Sequence, residues 1–177
     1  MKFITKEHWL GWNSNDEKVS NWARESTDEN FKVYAEQLEK LRPRLKERNF
    51  EFFKNGLHDG QLISFCIGDG IHLNLEKSEP LKLIDLGNTS VLMKVVNAEF
   101  NAIYDLKYER ISKAMFDFPS DSPLFFWNDI GDWGYDELSE VSEKILRYEV
   151  LFSSGTTILI EFEKFSFKKK RYKGSRY

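Results

Sequence analysis

The period of the apolar residues changes once along this chain, at Asn55-Gly56, and that change limits what each half can fold into. Upstream, Phe31, Tyr34, Leu38, Leu41 and Leu45 recur at steps of three and four, and Phe52 falls one heptad after Leu45. Such spacing puts one apolar stripe on an otherwise charged helix, which buries the stripe against a core; a coiled coil would need more heptads. Downstream, Ile63, Phe65 and Ile67 alternate with their neighbours. Only a strand sends every second side chain to one face.

The helical half has its own punctuation. Ser26 with Glu29 three residues later is a capping-box pattern, so a helix is expected from about 27 to 41. Pro43 clashes inside a helix but suits its first turn, so a second helix is expected from about 43 to 54. Residues 5 to 24 carry Trp9, Trp12 and Trp22 on short helical pieces broken by "GWNSND".

In the strand half, "GDG" at 68–70 turns the chain and Ile71, Leu73 and Leu75 alternate back, with His72 on the polar face. Further strands are expected at "LKLIDL" (81–86), "VLMKVV" (91–96) and "AIYDLKYERI" (102–111). Residues 112–143 mix prolines, glycines, acids and aromatics, and read as an irregular excursion around a short strand near "LFFW", with "ELSEVSEK" as a loop or one helical turn. A second hairpin closes the chain: Leu146, Tyr148, Val150 and Phe152 run out, "SSG" turns, and Ile158, Ile160 and Phe162 return, with Phe165 and Phe167 finishing that edge. Helices followed by a run of strands indicate an α+β fold, N-terminal helices packed on a mostly antiparallel meandering sheet. The expected organisation is a helical part at 1–56, a sheet part of the same domain at 57–167, and a disordered basic tail at 168–177.

At 177 residues the chain can bury one sizeable core. A hydrophobic share of 41% with 31% charge fits a soluble globular protein. The single cysteine, Cys66, excludes an internal disulfide and fits a reducing compartment; its apolar neighbours Phe65 and Ile67 suggest a buried, inert thiol. The start "MKFITKEHWLGWNS" lacks a signal-peptide core, and no stretch approaches the roughly 18 apolar residues of a membrane helix, so a cytoplasmic location is expected. The net charge is −3, but "KKKRYKGSRY" at the end holds six Lys or Arg and no acid, which leaves −9 on residues 1–167. An acidic body argues against a nucleic-acid surface and favours basic partners.

The opening "MKFITKE", the charged helical region, the junction "LHDGQLIS" and the strand-rich remainder with "WGYDE" and a closing hairpin resemble an uncharacterised family of small bacterial proteins. In that family a helical part ends in Leu-His-Asp and an all-strand part follows. The same entry is similar to that of some immunity proteins, which neutralise toxins by binding them. The resemblance implies fold and lineage more than function; its likeness to immunity proteins points toward a binding role.

Three constellations could carry function. His58-Asp59 sits at the seam: as a structural joint, Asp59 would bond free strand-entry amides and His58 would pack under the helix end with one nitrogen bonded. A metal-dependent or acid/base site around His58 and Asp59 stays as the alternative, although adjacent residues of an extended chain point apart. A metal centre needs three or four converging ligands, and His8, His58 and His72 lack the close spacing; no calcium loop, phosphate loop or nucleophile elbow is present, so no cofactor or metal is expected. The second constellation is 125–137, where Phe125, Phe126, Trp127, Trp133 and Tyr135 stand among Asp129, Asp132, Asp136 and Glu137, a composition suited to a basic protein surface. These aromatics could equally close one end of the core. The third is the basic tail, the one route to nucleic acid. The reading is a non-enzymatic protein-binding domain.

Overall fold

The computed structural model of the chain describes residues 1–68, 88–118 and 130–171. Three helices lead: α1 (Lys6–Trp12), α2 (Glu17–Leu41) and α3 (Glu47–Asn55), with a 3-10 turn at Arg42–Arg44 between the last two. Eight strands follow: β1 (Gln61–Gly68), β2 (Ser90–Val96), β3 (Ala102–Glu109), β4 (Lys113–Asp117), β5 (Trp133–Glu140), β6 (Leu146–Phe152), β7 (Thr157–Phe162) and β8 (Lys164–Arg171). The fold is α+β and every named strand pair is antiparallel.

The strands form two four-stranded sheets, ordered β1-β2-β3-β8 and β4-β7-β6-β5, rather than one meander. Their inner faces share a core in which Tyr108 of the first sheet meets Tyr148 and Phe162 of the second, at ring separations of 5.9 and 5.0 Å. α3 closes one side of this core: Phe52 and Phe53 lie against Phe165 at 5.2 and 4.6 Å. Among the described residues, most aromatic rings thus lie in this core or pack against it.

The helix boundaries differ from expectation for a local reason. α2 is capped ten residues before Ser26, where the Asp16 carboxylate accepts the amides of Lys18 and Val19. The Ser26-Glu29 pattern caps nothing. Ser26 Oγ instead meets His8 Nε2 at 3.0 Å, and Thr27 Oγ1 donates to the Ala23 carbonyl, so both hydroxyls are satisfied inside a continuing helix. Pro43 separates the two helices as expected, but it sits in the 3-10 turn and not in the first turn of α3, which starts at Glu47.

Four strand expectations also change. β5 runs through "WGYDELSE", where an excursion and a loop were expected, because a bulge after Trp133 hides its alternation. A shift between Leu62 and Ser64 in β1 leaves Ile63 52% exposed instead of core-facing. Cys66 pairs with Leu92 on the outer face and is exposed, not buried. Phe165 and Phe167 do not extend the closing hairpin: β8 crosses to the other sheet and pairs with β3 as far as Arg171. The expected tail at 168–177 therefore starts too early, since Lys168–Arg171 are still paired with β3 and complete the ladder. The strand return at 71–75, the strand at 81–86, that near "LFFW", and residues 172–177 lie outside the described residues.

Candidate functional site

The seam at Gly56 becomes a site because three elements meet over one carboxylate. Gly56 has φ +62° and ψ −167°, a conformation open essentially only to glycine, and a Cβ there would stand 2.9 Å from Asp136 Oδ2. The chain therefore crosses directly over Asp136. The next residues make a tight turn: the Gly60 amide donates to Leu57 O at 2.8 Å, and Asp59 takes a left-handed φ of 58°. The turn locks onto the start of β5, with Asp59 N–H donating to Trp133 O at 2.8 Å and Trp133 N–H to Gly60 O at 2.7 Å.

His58 Nδ1 lies 2.5 Å from the Gly134 carbonyl. A carbonyl only accepts, so Nδ1 carries the proton and Nε2 faces outward. Nε2 stands 3.6 Å from Asp59 Oδ1, and both side chains are more than half exposed. The left-handed turn puts the two on one side, where an extended chain would have separated them. The Asp59 carboxylate reaches no backbone amide among the described residues. At the seam it is Asp136, not Asp59, whose charge the Leu57 amide favours.

β5 brings Asp136 there through its bulge. Trp133 pairs with Phe152 and Tyr135 with Leu151, so Gly134 is extra, and a Cβ on Gly134 would stand 2.8 Å from Leu151 O. The bulge turns Trp133, Asp136 and Leu138 to one face and Tyr135 and Glu137 to the other. Trp133 is fully buried, and its Nε1–H donates to Asp136 Oδ2 at 2.8 Å. Burial pushes the Asp136 carboxyl up to about 6 even though the Trp133 indole and the Leu57 amide favour its charged form. Asp136 keeps partial access to solvent through the cavity beside it, while its carboxylate lies deep within the domain. The hydroxyls of Tyr108 and Tyr148, both fully buried, have no hydrogen-bond partner among the described residues; that of Tyr148 lies close enough to the Asp136 carboxylate to act on its charge without good hydrogen-bond geometry. Burial holds Tyr34, Tyr108 and Tyr148 well above the usual phenol range, so all three stay protonated.

A cavity of about 500 Å³ opens above this cluster, between α2, α3 and β5. The rings of Phe31, Tyr34, Phe50, Phe53 and Tyr135 line it, Asp136 forms its base, and exposed Glu36, Glu39 and Lys54 stand at its mouth. Tyr135 belongs to a wider cluster, 5.1 Å from Trp12, 5.8 Å from Trp9 and 5.3 Å from the His58 ring. Tyr34 also protects the edge of the second sheet, its hydroxyl accepting the Leu138 amide at 2.9 Å.

The residues singled out in 125–137 thus scatter. Tyr135 and Asp136 reach the cavity. Trp133 is core. Glu137 is 3% exposed and accepts the amides of Lys2, Phe3 and Ile4 at 2.7, 2.8 and 2.7 Å, so it anchors the N-terminal segment rather than a partner. Asp132 is exposed and accepts from Gln61 Nε2 at 3.2 Å, beside the turn. Trp127 and Asp129 lie outside the described residues. The helical contributors, Phe31, Tyr34 and Glu39, were legible as a stripe and its flanks but not as a wall; the one local signal was Trp133 and Asp136 set three apart around Gly134.

Among the described residues no three His, Cys, Asp or Glu side chains converge as a metal centre requires, and no helix is long and apolar enough to cross a membrane. Compared with family models, with curated proteins and with solved structures, the chain matches none.

Proposed function

We propose that the chain is a protein-binding domain, of the kind that neutralises a partner by docking on it, and that it receives a cationic side chain of a basic partner in the cavity above Asp136. The observation that carries this reading is the cavity's chemistry: aromatic walls, a carboxylate at the base and two further carboxylates at the mouth. Aromatic faces and carboxylates both attract a guanidinium or ammonium group, and desolvation strengthens both attractions. The acidic balance of residues 1–167 adds long-range steering of a basic surface. Trp133→Ala is a poor test, since that ring is core. The informative experiment titrates the protein with acetyl-arginine amide, and with the uncharged citrulline analogue, while following backbone amide resonances. Shifts at Gly134, Tyr135 and Asp136 with arginine alone, lost in Asp136→Asn and weakened by salt, are the expected result. Equal response to both probes, or arginine shifts unaffected by Asp136→Asn, overturns the reading.

The raised Asp136 carboxyl favours one second reading, acid–base catalysis on a molecule held in the same cavity, because a general base works best near the ambient pH. This moves the enzyme alternative from His58 and Asp59 to Asp136, with the Tyr34 ring alongside.

A further inference from the structure

We propose that the outer face of the β1-β2-β3-β8 sheet is a track for the phosphodiester backbone of duplex nucleic acid, recognised without regard to sequence. The face is built by register. Lys94, Asp105 and Lys168 are cross-strand partners in one rung; Lys107 lies in the rung on one side and Lys170 in the rung on the other. Lys164 closes the row at the start of β8. Asp105 draws two ammonium groups toward the middle of the sheet, Lys94 Nζ at 3.2 Å and Lys170 Nζ at 2.8 Å. Hydrogen bonds from Lys170, then Lys94, hold its carboxyl below the usual range, so it stays ionised. Lys107 pairs with Glu109 at 2.8 Å, and among the described residues Lys164 and Lys168 have no ion pair. Five lysines thus face two carboxylates. Between the rungs lies a hollow of about 440 Å³ with the hydroxyl-bearing Ser64 and Ser166 in its lining.

Several features select the occupant. Alternate residues of a strand stand about 6.6 Å apart, so the row from Lys164 to Lys170 spans roughly 20 Å. A duplex presents about one charge per 1.7 Å of axis, so this length always meets more phosphates than it has cations. The Lys94–Asp105 and Lys170–Asp105 pairs are half-exposed and keep their ammonium groups in reach of solvent, so exchanging a carboxylate for a phosphate costs little. Single strands are usually held by stacking on aromatic rings, and the outward positions of these strands carry none. A membrane surface would ask for exposed apolar anchors, and Leu92 is the one large apolar side chain in the hollow that is exposed. The acidic remainder of the chain lowers affinity, but screening over about 8 Å at physiological salt leaves the local charge in control at contact. Here Lys168 and Lys170 act as strand residues in a cluster that also needs β2 and β3, not as a loose tail.

The test is fluorescence anisotropy of the full chain with two duplexes of unrelated sequence, each about 20 base pairs, between about 50 and 200 mM salt. Both duplexes should bind equally, with a log–log salt slope of about −3 for a net three neutralised phosphates. Lys168→Gln/Lys170→Gln should move the slope by about two toward zero, and Lys94→Gln by about one, with unchanged melting temperatures; Lys32→Gln/Lys40→Gln on α2 should change nothing. The proposal is overturned by absence of binding at the lowest salt, by a slope indifferent to the sheet lysines, by loss confined to Lys173→Gln/Arg176→Gln, or by phosphatidylserine vesicles that bind while duplex does not compete.

Discussion

Trp133 and Asp136 are joined inside β5 by a single charge-assisted hydrogen bond, indole Nε1–H to Oδ2 at 2.8 Å, and the bulge at Gly134 is what allows it. The bond favours the ionised carboxylate, yet burial wins and the carboxyl sits at about 6. A folded-state value above the unfolded one of about 3.9 means that the folded protein binds the extra proton between those two limits. Stability is therefore fullest below about pH 4 as far as this group is concerned, and is lost as pH rises through about 6. The full difference would be about 3 kcal/mol at neutral pH, and the partial solvent access of Asp136 makes about 2 kcal/mol the working figure. Asp136→Asn keeps an acceptor for Trp133 and removes the charge. Urea unfolding from pH 4 to 8 should show this slope in the parent and a flatter profile in the variant; parallel profiles would contradict the burial of this carboxylate.

Gly56→Ala tests the crossing over Asp136. The substitution forces a side chain into a backbone region that costs of order 1–3 kcal/mol, and puts its Cβ 2.9 Å from Asp136 Oδ2. The expected loss is about 3 kcal/mol. Part of it should be recovered in Gly56→Ala/Asp136→Ala, since the second change removes the atom being struck. A double-mutant cycle with no coupling would place the strain in the backbone alone.

Glu137→Gln separates anchoring from recognition. The carboxylate accepts three backbone amides, each a charge-assisted bond. Removing the charge should cost about 2–3 kcal/mol. The amides of Lys2, Phe3 and Ile4 should lose hydrogen-exchange protection, while the response of the cavity to the arginine probe persists. Loss of the probe response with the N-terminal amides still protected would give Glu137 the partner-facing role that its position in "WGYDE" suggests.

Tyr108→Phe tests the orphan hydroxyl. A buried donor without a partner carries an uncompensated desolvation cost. Its deletion should leave the melting temperature unchanged or raise it, whereas Phe52→Ala in the same core should lower stability by about 3–5 kcal/mol. A drop of more than about 1 kcal/mol in Tyr108→Phe would reveal a partner for that oxygen, an internal water included.

How much of this could be read from the sequence depended on whether one side chain's role could be told from its neighbours alone. The period switch at Gly56 and the alternations of 91–96, 102–109, 146–152 and 157–162 survive because local pattern and burial agree there. β5 escapes because an inserted Gly134 shifts the phase and because both faces are covered, one by core and one by the N-terminal segment, so acids stand where apolar residues are expected. β8 escapes because its outward lysines read as a tail until β3 is known to lie beside it. The cavity was invisible for a different reason. Its walls come from α2 and α3, near each other in sequence, and from β5 far downstream, and no spacing rule links Phe31 to Asp136.

The last prediction joins the cavity to the titration of its base. If Asp136 is the counter-ion of a bound cation, only its ionised form serves, and the ionised fraction rises about tenfold between pH 5 and 7 for a carboxyl near 6. Affinity for acetyl-arginine amide should rise by the same factor over that range. By reciprocity a saturating cation must lower the carboxyl's titration midpoint by about one unit or more, which carboxyl NMR of the free and bound protein reads directly. The charged groups facing the site are the His58 imidazole from the turn, Glu36 and Glu39 from α2, Lys54 from α3 and Glu137 behind β5. Of these, His58 is the group the turn brings against Tyr135, so it is the control. The pH dependence should persist in His58→Gln and vanish in Asp136→Asn. Persistence in Asp136→Asn with loss in His58→Gln would assign the electrostatic control of the cavity to the turn instead of the strand.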